Sequence, residues 1–195
     1  MSTKFWNVPN SITFGRLLVA PVLLVLLLLL SYTSIDDTAN VSLSFAAAMV
    51  FSAGMISDMV DGYYARRYNL ISTFGQFLDP LADKLLFLTA MIMLIPLERI
   101  PAWIVAILFI REVTITALRG IAAEEGIIIP ASHWGKYKSA FVSAATVGLL
   151  LHYPFFGINW RMIGWVFLWP ALLLSIGSGI HYTIGFFRGL TKRTT

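Results

Sequence analysis

The sequence predicts an all-α polytopic membrane protein, with six transmembrane helices behind a short N-terminal interfacial segment. Three observations carry this. Of the 195 residues, 58% are hydrophobic and only 12% are charged, and the mean hydropathy is +0.79. An ordinary soluble domain carries about 25% charged residues, and so few charges cannot cover so much apolar surface in water. Apolar stretches also alternate with short polar breaks. At roughly 20 residues per span the length accommodates about six spans and no sizeable soluble domain. Finally, the breaks sort by charge. Those at 33–40 and 154–159 carry no basic residue, whereas Lys4, Arg66, Arg67, Lys136, Lys138, Arg188, Lys192 and Arg193 fall in the other set. The positive-inside rule then puts both termini in the cytoplasm, as an even number of spans requires.

The elements follow in order. The opening MSTKFWNVPN places Phe5 and Trp6 beside Lys4, a mixture suited to the membrane–water interface. Helices are expected at about 11–31, 41–65, 76–96, 102–124, 137–153 and 160–187. All are helices because an open strand cannot satisfy its backbone in lipid. The first, with the leucine run 26–30, is a retained span and not a cleaved leader, since Ser31, Tyr32, Thr33 and Ser34 make no small-residue cleavage site. The break at 97–101 holds one basic residue, Arg99, beside Glu98. The net charge of +4 is assigned to the cytoplasmic membrane face and not to nucleic acid, and no nucleic-acid partner is expected. With no cysteine, the chain has no disulfide, thiolate nucleophile or cysteine metal site.

Residues 57–84, SDMVDGYYARRYNLISTFGQFLDPLADK, carry the chemistry. Four of the ten acidic residues, Asp58, Asp61, Asp79 and Asp83, fall here inside or beside apolar helices. A carboxylate at mid-bilayer costs roughly 2.5–3.5 kcal/mol on insertion scales, and four together repel one another. Spacing suggests what offsets this. Asp58 and Asp61 are i,i+3 on the second helix, and Asp79 and Asp83 are i,i+4 on the third. A cytoplasmic turn near 66–75 makes the two helices antiparallel, so the four carboxylates converge at similar depth. Such an oxygen-rich site suits Mg²⁺ or Mn²⁺, with enough donors for two ions that clamp attacking and leaving oxygens in phosphoryl transfer. Gly62 and Gly75 permit close approach of a ligand, and Arg66 can grip a phosphate bidentately. Metals, glycines and an arginine make a diphosphate site. A single intramembrane Asp could instead be structural, and an acidic cluster could line the path of a divalent-cation transporter. A transport site belongs near the midplane, however, and explains neither the glycines nor the arginine.

The pattern Asp58-x2-Asp61-Gly62-x2-Ala65-Arg66-x8-Gly75-x3-Asp79-x3-Asp83 resembles, at each of its eight fixed positions, the motif of the CDP-alcohol phosphatidyltransferases. The resemblance implies one membrane-embedded domain over 1–195, six transmembrane helices, a homodimer, and an interfacial active site on the cytoplasmic side of the inner membrane. It implies Asp58, Asp61 and Asp79 as metal ligands, with Asp83 as a ligand or as the base that deprotonates the acceptor hydroxyl. Gly62, Ala65, Arg66 and Gly75 would contact the CDP portion of CDP-diacylglycerol.

That motif is silent on the acceptor alcohol. Three further stretches, NVPNSITFGRLLVAPV, IREVTITALR and SHWGKYKS, resemble the bacterial branch of the family whose acceptor is sn-glycerol-3-phosphate. Ser139 stands where that branch leads one to expect Thr. Arg111 and Arg119, eight residues apart on the fourth helix, and Lys136 in the following turn would hold the acceptor's phosphate. Alternatively, Lys136 and Lys138 set orientation or meet anionic headgroups, and Arg111 pairs with Glu112 or an active-site Asp. Asn10 and Thr13 either frame the nucleotide or cap the first span. Relatives acting on phosphatidylglycerol to give cardiolipin, or on inositol phosphate, carry the same donor motif.

Overall fold

The computed structural model describes the backbone of residues 8–32, 37–68, 84–125 and 133–194, and side chains within 17–32, 38–57, 84–125 and 137–190. It contains helices α1 (Val8–Tyr32), α2 (Asp37–Tyr68), α3 (described over Lys84–Met93), α4 (Ala102–Glu124), α5 (His133–Leu151) and α6 (Trp160–Thr194). The fold is thus all-α in its helical elements, as expected. α2 runs past the expected end at 65 through Tyr68, because no proline or glycine interrupts it after Gly62. Two stretches, Thr38–Ser57 and Trp160–Leu190, are long and apolar enough to cross a bilayer. The described apolar parts of α1, α3 and α5 are shorter, at Leu17–Tyr32, Lys84–Met93 and Tyr137–Leu151.

Several helices are apolar on two opposite faces. On α1, Ala20, Leu23, Leu27 and Leu30 are buried, while Leu18, Val22, Val25 and Leu29 are exposed, each set at helical spacing. On α6, Leu168, Ala171, Leu172 and Ser175 are buried, while Met162, Val166, Trp169, Leu173, Ile176, Ile180, Ile184 and Phe187 form an exposed stripe along the helix. A helix that is apolar on all sides is either buried or in lipid, and a continuous exposed apolar stripe of this length marks a surface that water does not cover.

The buried stripes meet in one core. α1 lays Leu23 and Leu27 against Ala47, Ala48 and Phe51 of α2, and Leu86, Ala90, Met91 and Leu94 of the α3 region join them. α5 and α6 approach most closely. A Cβ added to Gly148 would lie 2.6 Å from Gly164 N, and one added to Gly164 would lie 2.8 Å from Leu149 N. Only glycine at both positions allows these backbones to touch, the usual way helices associate where no hydrophobic effect drives them together.

One end of the bundle is tied by Arg99. Its Nη1 donates to the carbonyls of Leu149 (3.2 Å) and Leu150 (2.6 Å), and its Nη2 to Ser44 Oγ (2.7 Å). The guanidinium also lies 5.7 Å from the Tyr153 ring centre. Arg99 therefore caps the last turn of α5 and fastens it to α2, meeting carbonyls that the helix leaves without partners. This accounts for the one basic residue in a break otherwise free of them. Burial lowers its pKa to about 10, so it stays charged at neutral pH. Arg99 is presented by a helix-ending turn in which Glu98 N–H bonds to Ile95 O and Arg99 N–H to Leu94 O, with Glu98 at φ 55°. This is the two-bond closure usually made with glycine in the left-handed position.

The break at 154–159 adds a feature the helical reading lacked. Pro154 pairs with Asn159 and Phe155 with Ile158 in a two-stranded antiparallel ladder, turned by Phe156 (φ 57°) and Gly157 (φ 74°). Positive φ at both turn positions is what a two-residue hairpin requires. Asn159 then starts α6, its Oδ1 accepting from Met162 N–H at 3.1 Å, an ordinary helix N-cap.

Candidate active site

The end of the bundle opposite Arg99 gathers charge. α2 carries Asp58, Asp61, Gly62, Ala65 and Arg66 on backbone that is helical without interruption to Tyr68, so the i,i+3 spacing of Asp58 and Asp61 is a true helical spacing. Their side chains, and Gly75, Asp79 and Asp83 altogether, lie outside the described residues. Among the described residues no group of three or more His, Cys, Asp or Glu could hold a metal ion. Asn10 and Thr13 fall within α1, which starts at Val8, so Asn10 is not that helix's N-cap.

Next to Asp58 and Asp83 in the chain, described residues line a partly open cavity of about 400 Å³. Met55 lines it one turn before Asp58, and Lys84 lines it directly after Asp83. Glu112 of α4 and Lys138, Ser139 and Ser143 of α5 line it as well. The polar groups are linked. Lys138 Nζ donates to Glu112 Oε2 at 2.6 Å, and Arg111 Nη1 donates to the same oxygen at 3.1 Å. Arg111 Nη2 donates to Ser178 Oγ of α6 at 2.9 Å. Gly179 makes room for this reach, since a Cβ there would lie 3.1 Å from Arg111 Cγ. Lys84 Nζ donates to Thr116 Oγ1 at 2.7 Å, and Thr116 Oγ1 donates to Glu112 O at 2.8 Å.

Of the three residues expected to hold an acceptor phosphate, Arg111 sits in this network, paired with Glu112 as the alternative reading allowed. Arg119 is exposed and lies over the Tyr182 ring at 5.5 Å, a separate contact with α6. Both arginines turn toward α6. The Lys136 side chain lies outside the described residues. Sequence reasoning did not single out Lys84, or the bond between Lys138 and Glu112. Adjacency to Asp83 was a usable signal for Lys84. For Lys138 and Glu112, 26 residues apart on different helices, the sequence offered none.

With helices and site in view, comparison with known proteins defines the class. Residues 6–177 match the family model described as CDP-alcohol phosphatidyltransferase, and the chain belongs to that family. Among its relatives, the CDP-diacylglycerol–glycerol-3-phosphate 3-phosphatidyltransferase of Bacillus subtilis (strain 168) is 35% identical over 184 residues, covering 91% of this chain and 93% of the relative. The protein of the same name from Pseudomonas fluorescens is 36% identical over 182 residues, covering 90% and 88%. A probable phosphatidylglycerophosphate synthase of Mycobacterium tuberculosis (strain ATCC 25618 / H37Rv) is 35% identical over 176 residues, covering 90% and 79%.

Proposed function

We propose that this chain transfers a phosphatidyl group from CDP-diacylglycerol to sn-glycerol-3-phosphate, yielding phosphatidylglycerophosphate and CMP. The observation that carries the reading is the complete eight-position donor motif in a chain similar over about nine-tenths of its length to transferases named for this acceptor. The work takes place in the cell's inner membrane. All six helices span it, both termini and the active site face the cytoplasm, and the enzyme is a homodimer.

In the reaction, a free hydroxyl oxygen of the acceptor forms a bond to the phosphatidyl phosphorus. The bond from that phosphorus to the oxygen bridging to CMP breaks, and CMP leaves with the electron pair. The acceptor's proton passes to Asp83. Asp58, Asp61, Asp79 and Asp83 are hard oxygen donors, a set whose chemistry fits Mg²⁺ or Mn²⁺, and two such ions would stabilise charge on the diphosphate. Gly62, Ala65, Arg66 and Gly75, with Asn10 and Thr13, hold the CDP moiety. Arg111, Arg119 and Lys136 supply cationic charge for the acceptor's phosphate, which must approach an anionic donor.

The test is CMP release by the purified protein with CDP-diacylglycerol and a panel of acceptors. Release that depends on glycerol-3-phosphate supports the assignment. Release only with phosphatidylglycerol or inositol phosphate keeps the family and overturns the acceptor.

A further inference from the structure

We infer that Lys84 is a further binding residue for the acceptor, its ammonium taking an oxygen of the acceptor's phosphate within the cavity between α3, α4 and α5. This rests on the proposed reaction. Three observations lead there. Lys84 lines the cavity together with Lys138 and Glu112. Its partner among the described residues is Thr116 Oγ1, at 2.7 Å. Thr116 directs its single hydroxyl hydrogen to Glu112 O, so it meets the ammonium only as a neutral acceptor.

Two other described cations at this end have an anionic partner. Lys138 and Arg111 share the Glu112 carboxylate, and Arg119 lies on Tyr182. An ammonium bonded to a neutral hydroxyl gains from exchanging it for an anionic oxygen, because charge-assisted bonds are shorter and about twice as strong as neutral ones. A phosphate monoester entering the cavity provides that oxygen.

Position in the chain gives the contact a purpose. Lys84 directly follows Asp83, and consecutive Cα atoms lie about 3.8 Å apart. A phosphate gripped by Lys84 keeps its own glycerol hydroxyls near the residue assigned to take the proton. Thr116 holds the lysine in place until the acceptor arrives. Phosphate oxygens of the donor offer the same chemistry. The acceptor is preferred because, among the described residues, the polar side chains that line the cavity with Lys84 come from α4, α5 and α6, while α2 contributes the apolar Met55.

The experiment measures KM for each substrate in turn, with glycerol-3-phosphate binding followed separately by calorimetry, in the intact protein and in Lys84→Met, Lys84→Arg and Thr116→Val. Wild-type turnover with glycerol-3-phosphate is established first; its absence overturns the proposed function and not the role of Lys84 alone. Lys84→Met should raise the acceptor KM about tenfold to hundredfold and weaken calorimetric binding in step, with the donor KM nearly unchanged. Lys84→Arg should recover part of the loss, and Thr116→Val should change the acceptor KM less than about threefold. Equal effects of Lys84→Met and Thr116→Val on KM and melting temperature would mean that Lys84 only fastens α3 to α4, and the inference fails. A rise confined to the donor KM overturns it as well. If Lys84→Met does not fold, the comparison of Lys84→Arg with Thr116→Val decides: an acceptor KM altered only by Thr116→Val counts against the inference.

Discussion

Lys138 Nζ and Glu112 Oε2 lie 2.6 Å apart, and the same carboxylate oxygen takes Arg111 Nη1 at 3.1 Å. One anion therefore holds two cations from two helices. Glu112→Gln would remove the one counter-charge that both have among the described residues. Breaking a fully buried pair costs about 3–5 kcal/mol. The Glu112 side chain is 32% exposed, so solvent reduces the cost, to roughly 1–3 kcal/mol. The expected result is a lower melting temperature in detergent or nanodiscs, together with a raised KM for glycerol-3-phosphate. An unchanged melting temperature would show that the two cations find other partners.

The carboxylate assignments separate by experiment. Asp58→Asn, Asp61→Asn and Asp79→Asn should each remove nearly all turnover, and a chelator should do the same to the wild type, with Mg²⁺ or Mn²⁺ restoring it. Asp83→Asn should lower turnover while leaving CDP-diacylglycerol binding largely intact. Near-normal activity in any of the first three would contradict the metal-ligand reading. A joint loss of binding and turnover in Asp83→Asn would make that residue a ligand and not the base.

The contact between α5 and α6 predicts a steric penalty. Gly148→Ala puts a methyl 2.6 Å from Gly164 N and 3.0 Å from Trp160 O, both backbone atoms that cannot turn aside. Overpacking of this kind costs about 1–3 kcal/mol. Thermal unfolding should register the loss. Gly177→Ala, on the same α6, meets open space and should be near neutral. Equal melting temperatures for the two variants would refute the close approach.

Orientation is open to labelling, because the chain has no cysteine of its own. Ile158→Cys, in the hairpin, should react with an impermeant thiol reagent applied from outside the cell. Leu70→Cys should react only after the membrane is opened. Labelling of Leu70→Cys in intact cells would place the chemistry on the wrong face for a nucleotide-activated lipid.

The helices, their order and the carboxylate motif were all legible in the sequence, because each depends on local spacing. Runs such as Leu26–Leu30 are helical wherever lipid leaves the backbone no other partner, and α6 begins at Trp160 as the polar break before it foretold. The eight positions from Asp58 to Asp83 lie within 26 consecutive residues, so the motif reads directly along the chain. The two-residue ladder at 154–159 escaped notice because a strand that short shows no alternation. Tertiary structure alone decided which polar groups meet. That Arg99 ends α5 at Leu150 O, that Glu112 holds both Arg111 and Lys138, and that Lys84 lines one cavity with Glu112 and Lys138 depend on helices distant in sequence packing side by side. The small residues that allow this packing, Gly148, Gly164 and Gly179, show their purpose only when the facing backbone or side chain is in place, since a missing side chain has meaning only against the atom that takes up its space.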